Sequence, residues 1–162
     1  MLSDQDLAKF ISQHHIKAQL VYSQSPTPTV SDAAKALGVE LQLIIKTLIF
    51  MADDKPIAAI AAGEHRISQK RLRDILGVSR RKLRMASPEE ALSFSGFPVG
   101  AMPPFGHKEP LPTYVDSLSI DQAAPLLYGG GGTSSAMLAL SAQTLLTVSQ
   151  GSYVALSFSE EE

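Results

Sequence analysis

The sequence predicts an α+β fold in which one mixed, barrel-like β-sheet is surrounded by helices, within a single domain over residues 1–162. Segments with apolar residues at helical spacing alternate along the chain with short apolar runs typical of strands. The helical segments lie too close to these runs for regular β–α–β repeats. The 162 residues are enough for one sizeable core, and no linker divides them.

The N-terminal half predicts a helix, a loop, a short helix, one or two helical turns and a strand hairpin, at residues 3–14, 23–29, 31–38, 40–46 and 47–62. The first helix has apolar residues at helical spacing after the capping residue Ser3. Prolines exclude regular helix from the loop, and Gly38 ends the Ala-rich helix. An Asp-Asp-Lys turn joins two buried strands, which we expect over residues 47–51 and 56–62.

The C-terminal half predicts a helix, a strand, a helix, a long loop, two strands, a helix and a closing strand, at residues 68–76, 82–85, 88–93, 94–110, 113–116, 136–140, 141–148 and 153–158. The sequence Ser87-Pro88-Glu89-Glu90 is the strongest local signal, because it combines a capping box with proline at the first helical position. The loop contains four Pro and three Gly. Loops of this length inside a compact domain are usually functional.

Composition narrows the classes of function. The absence of cysteine excludes disulfides, thiolate nucleophiles and cysteine-based metal sites. The acidic N-terminus differs from a secretory signal, and the longest apolar run is interrupted by polar residues. We therefore expect a cytoplasmic protein with no membrane partner.

The common catalytic motifs are missing from the sequence. It contains no H-E-x-x-H zinc motif, no G-x-S-x-G nucleophile elbow, no P-loop lysine after its glycine run and no G-x-G-x-x-G fingerprint. We therefore expect no metal and no other cofactor. Catalysis would have to use water, backbone dipoles and at most one charged side chain.

Three features remain as candidates for a site. Lys46 lies within an otherwise apolar segment, where its charge needs water or a partner. The Gly- and Pro-rich loop up to His107 can present backbone N–H groups to a developing oxyanion. The glycine run over residues 129–132 can form a second wall. Each feature alone also fits a structural role: a lysine that reaches solvent at a strand end, a rigid surface turn with a solvated histidine, or a flexible turn.

The net charge of −2 hides a local asymmetry. Seven of the 14 basic residues lie close together, namely Lys70, Arg71, Arg73, Arg80, Arg81, Lys82 and Arg84. Acidic residues gather at residues 53–54 and 160–162. A basic stripe on a nearly neutral body can position a phosphate backbone, or it can be a solvated surface.

Taken together, the motifs resemble the YbaK/EbsC and ProX-like family of aminoacyl-tRNA deacylases, which is related to the editing domain of bacterial prolyl-tRNA synthetases. The resemblance covers about residues 30–158 and rests on the order of Lys46-Thr47-Leu48, Gly63…Arg66, Leu76-Gly77, Ala86-Ser87-Pro88-Glu89-Glu90, Gly96…Gly100, Pro103-Pro104-Phe105-Gly106-His107, Leu111-Pro112-Thr113, Val115-Asp116 and the glycine run.

This resemblance implies a barrel-like α+β domain around a small pocket, with aminoacyl-tRNA as partner and a tRNA synthetase as a further candidate partner. The implied activity is trans-editing, the hydrolysis of the 3′ ester of mischarged tRNA such as alanyl- or cysteinyl-tRNA for proline. The catalytic residues it implies are Lys46, Gly100 and a supporting His107. Substrate-binding residues would be Gly96, Pro103, Pro104, Phe105, Gly106, Gly130, Gly131 and Ser134.

Arg80, Arg81 and Lys82 are the candidate tRNA contacts. Ala101 and Ser134 depart from residues common in the family, which leaves the amino acid that is removed open. The role of Lys46, positioning or base, is also open. Two other classes of function remain: a non-catalytic tRNA- or synthetase-binding module of the same fold, and a pocket protein for a small ligand.

Overall fold

Five helices and ten strands are distributed along residues 1–158, the part of the chain that the computed structural model describes; the acidic cluster at residues 160–162 lies outside it. The helices are α1 Asp4–Gln13, α2 Val30–Leu37, α3 Gln69–Leu76, α4 Pro88–Ser95 and α5 Ala142–Ser149. The strands are β1 Ala18–Tyr22, β2 Ile45–Ala52, β3 Lys55–Ala62, β4 Arg66–Ile67, β5 Leu83–Met85, β6 Thr113–Asp116, β7 Leu127–Gly130, β8 Ala136–Leu140, β9 Ser152–Val154 and β10 Ser157–Phe158.

The strands form three sheets. A five-stranded mixed sheet has the order β5-β2-β3-β6-β9, in which β6 runs parallel to both β3 and β9. An antiparallel sheet has the order β1-β8-β7, and β10 pairs with β4. The α+β class is therefore confirmed. The single barrel-like sheet is not, because none of the three sheets formed by residues 1–158 closes on itself.

Both faces of the central strands β2 and β3 are buried, which explains their nearly continuous apolar sequence. One face, with Ile49 and Ile60, packs against α1, α4, α5 and the three-stranded sheet. The opposite face, with Phe50 and Ala59, packs against Leu72 of α3. A third, smaller cluster joins α2 to the start of β2 and to β8. Within residues 1–158 no helix is long and apolar enough to cross a membrane.

Local chemistry sets most helix ends and the hairpin turn. The Ser87 hydroxyl accepts the Glu90 N–H at 3.1 Å, and the Glu90 carboxylate accepts the Ser87 N–H at 3.0 Å, which confirms the predicted capping box. Gly38 ends α2 with φ +65°. Asp53 and Asp54 both have positive φ, as a two-residue hairpin turn requires.

Several predicted boundaries differ from the structure. Residues 40–46 form a single 3₁₀ turn, Leu41–Leu43, because Ile44 bridges to Tyr128 and Ile45 already pairs with β3. The predicted closing strand is divided into β9 and β10, which pair with different partners. Strand β1 was not predicted at all, because it becomes a strand through pairing with the distant β8.

The break between β9 and β10 is held by Asp116, a fully buried carboxylate at the end of β6. It accepts the N–H groups of Leu156 at 2.9 Å and Ser157 at 3.2 Å, and the hydroxyl groups of Ser157 and Ser119. Burial alone would raise the pKa of Asp116, but these hydrogen bonds together hold it below its ordinary value. Asp116 therefore ties the turn after β6 to the start of β10 as an anion.

Candidate active site

A cavity of about 400 Å³ lies along β2, and we call it the pocket. It is lined by Thr27, Pro28, Thr29, Val30, Ala33, Ile44, Ile45, Lys46, Thr47, Leu48, Ile49, Met85, Ala86, Pro88, Ala91, Val99, Gly100, Met102, Gly130 and Met137. Its walls therefore come from α2, β2, the β5–α4 junction, β7, β8 and the loop after α4. This size and this mainly apolar lining are typical of small-molecule sites.

The pocket lining is buried where α2 meets the start of β2. Ala33, Ile44 and Met137 are each at most 5% exposed and belong to one apolar cluster. At the opposite end the lining is open, because Met85 is 51% exposed and Val99 is 61% exposed. A ligand can therefore be enclosed at one end and extend into solvent at the other.

Lys46 lies between these ends. Alternation along β2 puts Lys46 on the same face of the sheet as Leu48, and Ile44 comes two residues earlier, just ahead of the strand. Its side chain is partly exposed, so the ammonium group can stay hydrated while its aliphatic stem packs on the strand. Thr47, which is only 8% exposed, follows Lys46 in the lining.

The pocket loop (residues 97–107) supplies a further part of the lining, at Val99, Gly100 and Met102. Gly100 is exposed, has φ +92° and lines the pocket. A side chain at Gly100 would meet no atom within 4 Å, so glycine is needed there for its backbone conformation and not for space. The backbone of Gly100 is consequently open to a ligand.

Close backbone packing fixes the pocket loop against the glycine run. A Cβ atom on Gly130 would lie 2.7 Å from the carbonyl carbon of Met102 and 2.9 Å from that of Ala101. In addition, the Gly132 N–H donates to the Ala101 carbonyl at 3.0 Å. Gly130 therefore has a structural reason to be glycine, and it also lines the pocket.

His107 stabilises the base of the loop and is not part of the pocket lining. Its Nε2–H donates to the Pro103 carbonyl at 2.7 Å, which leaves Nδ1 without the proton in the neutral ring. Burial lowers the pKa of the imidazole, although the hydrogen bond to Pro103 opposes that shift. The ring also meets Phe97 edge-on, with centroids 6.3 Å apart.

The remaining predicted substrate-binding residues lie behind the pocket or beside it. Phe105 is 4% exposed in the main core, and its ring lies 6.1 Å from that of Phe10. Residues from the same prediction that are likewise absent from the lining are Gly96, Pro103, Pro104, Gly106, Gly131 and Ser134. Of all the predicted catalytic and substrate-binding residues, the pocket thus brings together Lys46, Gly100 and Gly130.

Several lining residues were not predicted as site residues, including Thr47, Met85, Val99, Met102 and Met137. Thr47 follows Lys46 directly in the sequence, so its position next to the candidate lysine could have identified it as a site residue. The methionines lie on β5, in the pocket loop and on β8, and no local pattern in the sequence relates these segments.

A second cavity, of about 380 Å³, is lined by Met51, Asp54, Arg81, Lys82 and Arg84, and we call it the basic cleft. Lys82 pairs with Asp53 at 3.4 Å. Strand β5 connects the two cavities, since Arg84 lines the basic cleft and the next residue, Met85, lines the pocket.

Arg84 also makes a two-pronged ion pair with Glu90, at 2.6 and 2.8 Å. The hydrogen bonds from Arg84, and then from the Ser87 N–H, lower the pKa of Glu90 to about 2. Within residues 1–158 neither Arg80 nor Arg81 forms an ion pair with a carboxylate. No group of three potential metal ligands occurs in this part of the chain.

Comparison with known proteins identifies relatives of this chain. A segment of 92 residues is 34% identical to proline–tRNA ligase of Nitratidesulfovibrio vulgaris, covering 55% of this chain and 16% of the ligase. The uncharacterized protein YwhH of Bacillus subtilis is 36% identical over 94 residues, or 57% of this chain and 58% of YwhH. The chain thus spans under a fifth of that ligase and over half of YwhH.

Solved structures extend the similarity to almost the whole chain. One, provisionally described as a trans-editing enzyme for prolyl tRNA synthetase, superposes with a TM-score of 0.85 at 26% identity, covering 96% of both chains. The hypothetical protein APE2540 gives the same TM-score at 27% identity, over 94% of this chain and 99% of its own. Residues 24–148 match the aminoacyl-tRNA editing domain, and the chain belongs to that family.

Proposed function

We propose that this protein is a trans-editing deacylase, which hydrolyses the ester between a wrongly attached amino acid and the 3′ end of a tRNA. Alanyl- and cysteinyl-tRNA for proline are the proposed substrates. The observation that carries the proposal is the position of Lys46 and Gly100 in the lining of one pocket with an enclosed apolar end. Membership of the editing-domain family supports the same reading.

The pocket offers a place for each part of the ester. The amino acid side chain fits the enclosed end formed by Ala33, Ile44 and Met137, where no charged side chain lines the wall. The ester group would then lie at the level of Lys46. An apolar end of this kind discriminates between amino acid side chains mainly by size, and one methylene group contributes only about 1–3 kcal/mol to that discrimination.

The proposed reaction is attack by water on the ester carbonyl carbon. The carbonyl oxygen becomes an oxyanion, the bond to the ribose oxygen then breaks, and that oxygen takes up a proton. The products are a free amino acid and a tRNA with a free hydroxyl. We assign Lys46 as a charged donor to the oxyanion and Gly100 as a backbone donor, because both are fixed before the charge develops.

His107 is proposed as a positioning residue. Its hydrogen bond to Pro103 and its contact with Phe97 hold both ends of the pocket loop, and thereby Gly100. The cytoplasm is the proposed compartment, because a trans-editing enzyme must meet aminoacyl-tRNA there.

The test is hydrolysis of a panel of labelled aminoacyl-tRNAs, led by alanyl- and cysteinyl-tRNA for proline, by wild type and Lys46→Ala. We expect hydrolysis of a mischarged species by wild type and its loss in the variant. Lys55→Ala is the matched control, because Lys55 is an exposed lysine at the start of the neighbouring strand β3 and does not line the pocket. Equal turnover by wild type and Lys46→Ala would remove Lys46 from the mechanism. No hydrolysis, with tRNA still bound, would favour a non-catalytic binding module.

Arg80, Arg81 and Lys82 are the proposed contacts for tRNA phosphates; Arg81 and Lys82 line the basic cleft, and Arg80 precedes them in the chain. Replacing all three by Glu should weaken tRNA binding and reduce the slope of log affinity against log salt. Replacing Lys70, Arg71 and Arg73 by Glu is the control, because all three lie on α3 outside the cleft lining and the change in charge is the same. Equal losses in the two variants would mean that only overall charge matters.

A further inference from the structure

The open end of the pocket is apolar, although the proposed chemistry takes place deeper inside. Met85 and Val99 are 51% and 61% exposed and come from β5 and from the pocket loop. Large apolar side chains this exposed on two separate elements of one cavity are suited to a ligand that extends beyond the reacting group. Pro88, also exposed, adds to the same part of the lining.

Strand β2 provides a measure of distance along the pocket. Lys46 and Leu48 share one face of the five-stranded sheet, and Ile44 lies just before the strand. Met85 pairs with Phe50, so it lies on this face as well, one step beyond Leu48. Each two-residue step along a strand covers about 6.6 Å, so Met85, on the neighbouring strand, lies about 13 Å further along the strand direction than Lys46.

The parts of an aminoacyl-tRNA end follow the same order as these residues. With the amino acid at Ile44 and the ester at Lys46, the ribose lies over Leu48 and its base reaches Met85. We infer that Met85 and Val99 form a subsite for the terminal nucleobase of the substrate, an inference that rests on the proposed function.

The chemistry of the two side chains fits a nucleobase. A methionine thioether is polarisable and adapts to the surface of an aromatic ring, and Val99 supplies a second apolar surface from the pocket loop.

The methionines allow this subsite to be tested without any measurement of activity. The chain has five, and each reports on a different region: Met85 on the open end, Met102 and Met137 on the interior, Met51 on the basic cleft, and Met1 on the exposed N-terminus. With ¹³C-methyl methionine, titration with adenosine 5′-monophosphate should shift the Met85 signal through the ring current of the base. Ribose 5-phosphate, which lacks the base, should leave the Met85 signal in place. Met1 should not move with either compound.

Two results of the titration would overturn the inference. One is a Met85 signal that stays in place up to the solubility limit of the nucleotide. The other is a Met85 shift of equal size with ribose 5-phosphate, since the base would then play no part.

Kinetics separate this inference from the proposed function. Met85→Ser and Val99→Ser should raise KM for 3′-alanyl-adenosine roughly 2- to 10-fold, with little change in kcat, and should raise KM for alanine ethyl ester, which has no base, by less. Leu118→Ser is the matched control, because Leu118 is also 51% exposed and does not line the pocket. If wild type cleaves 3′-alanyl-adenosine and the variants keep its KM, the nucleobase subsite is wrong and the proposed function stands. If wild type cleaves neither ester nor any aminoacyl-tRNA, the proposed function fails, while the nucleotide titration still decides the subsite.

Discussion

Replacing Gly130 by alanine should disturb the pocket through a single added methyl group. The new Cβ would lie 2.7 Å from the carbonyl carbon of Met102 and 2.9 Å from that of Ala101, whereas ordinary contacts begin at 3.4 Å. The atoms in the way belong to the backbone, which has no alternative rotamer. The pocket loop and β7 must therefore separate by about 0.7 Å or more.

The expected effects are large for so small a change. Forcing an extra methyl group into a closely packed site typically costs about 1–3 kcal/mol of the free energy of unfolding. For a domain of this size this corresponds to a fall in Tm of roughly 2–12 °C. A displacement of about 1 Å in a positioning element can reduce turnover on the order of 100-fold, so we expect a 10- to 100-fold loss of deacylation.

Gly129→Ala is the matched control, since it makes the same change one residue earlier in β7. Its added Cβ would meet the side-chain end of Ile45 at 3.1 and 3.2 Å, and a side chain can give way by a few tenths of an ångström. Tm by calorimetry and turnover of the mischarged tRNA should therefore change far more in Gly130→Ala than in Gly129→Ala. Wild-type Tm and turnover in Gly130→Ala would refute the idea that close backbone packing at Gly130 holds the pocket loop in place.

Three further predictions concern charge and metals. Asp116→Asn should lose about 1–3 kcal/mol of the free energy of unfolding, measured by urea denaturation at neutral pH. Because folding lowers the pKa of Asp116, the advantage of the wild type should be complete above the ordinary carboxyl pKa of about 3.9 and should disappear as the pH falls through the lower folded value. An unchanged difference in stability at acid pH would contradict this. The Glu90 carboxylate should titrate by NMR with a midpoint of about 2, and Arg84→Gln should raise that midpoint, whereas an unmoved midpoint would show that Arg84 is not the cause. Chelators should leave deacylation unchanged, because residues 1–158 contain no group of three potential metal ligands, and inactivation that added metal reverses would show otherwise.

The parts of the fold that the sequence predicts well are set by atoms a few residues apart. The capping box at Ser87, the helix end at Gly38 and the turn at Asp53 and Asp54 all follow from local hydrogen bonds and backbone conformations. Among the site residues, Lys46 stood out because it is a single charge in an apolar segment.

The parts that the sequence did not predict depend on distant pairings. Strand β1 exists because it pairs with β8, and the closing segment is divided because Asp116 holds the N–H groups of Leu156 and Ser157. The three separate sheets likewise depend on which strands meet, and strand spacing along the chain does not determine that.

The sequence by itself determined the α+β class, most helix ends and a candidate lysine, because each depends on local propensity or on one residue in an unusual setting. Only the tertiary structure decided that Gly100 and Gly130 share a pocket with Lys46 while His107 supports the loop, and that Met85 and Val99 occupy the open end. The physical reason is that a pocket is defined by surfaces of segments far apart in the chain, whose packing is fixed only when the whole core forms.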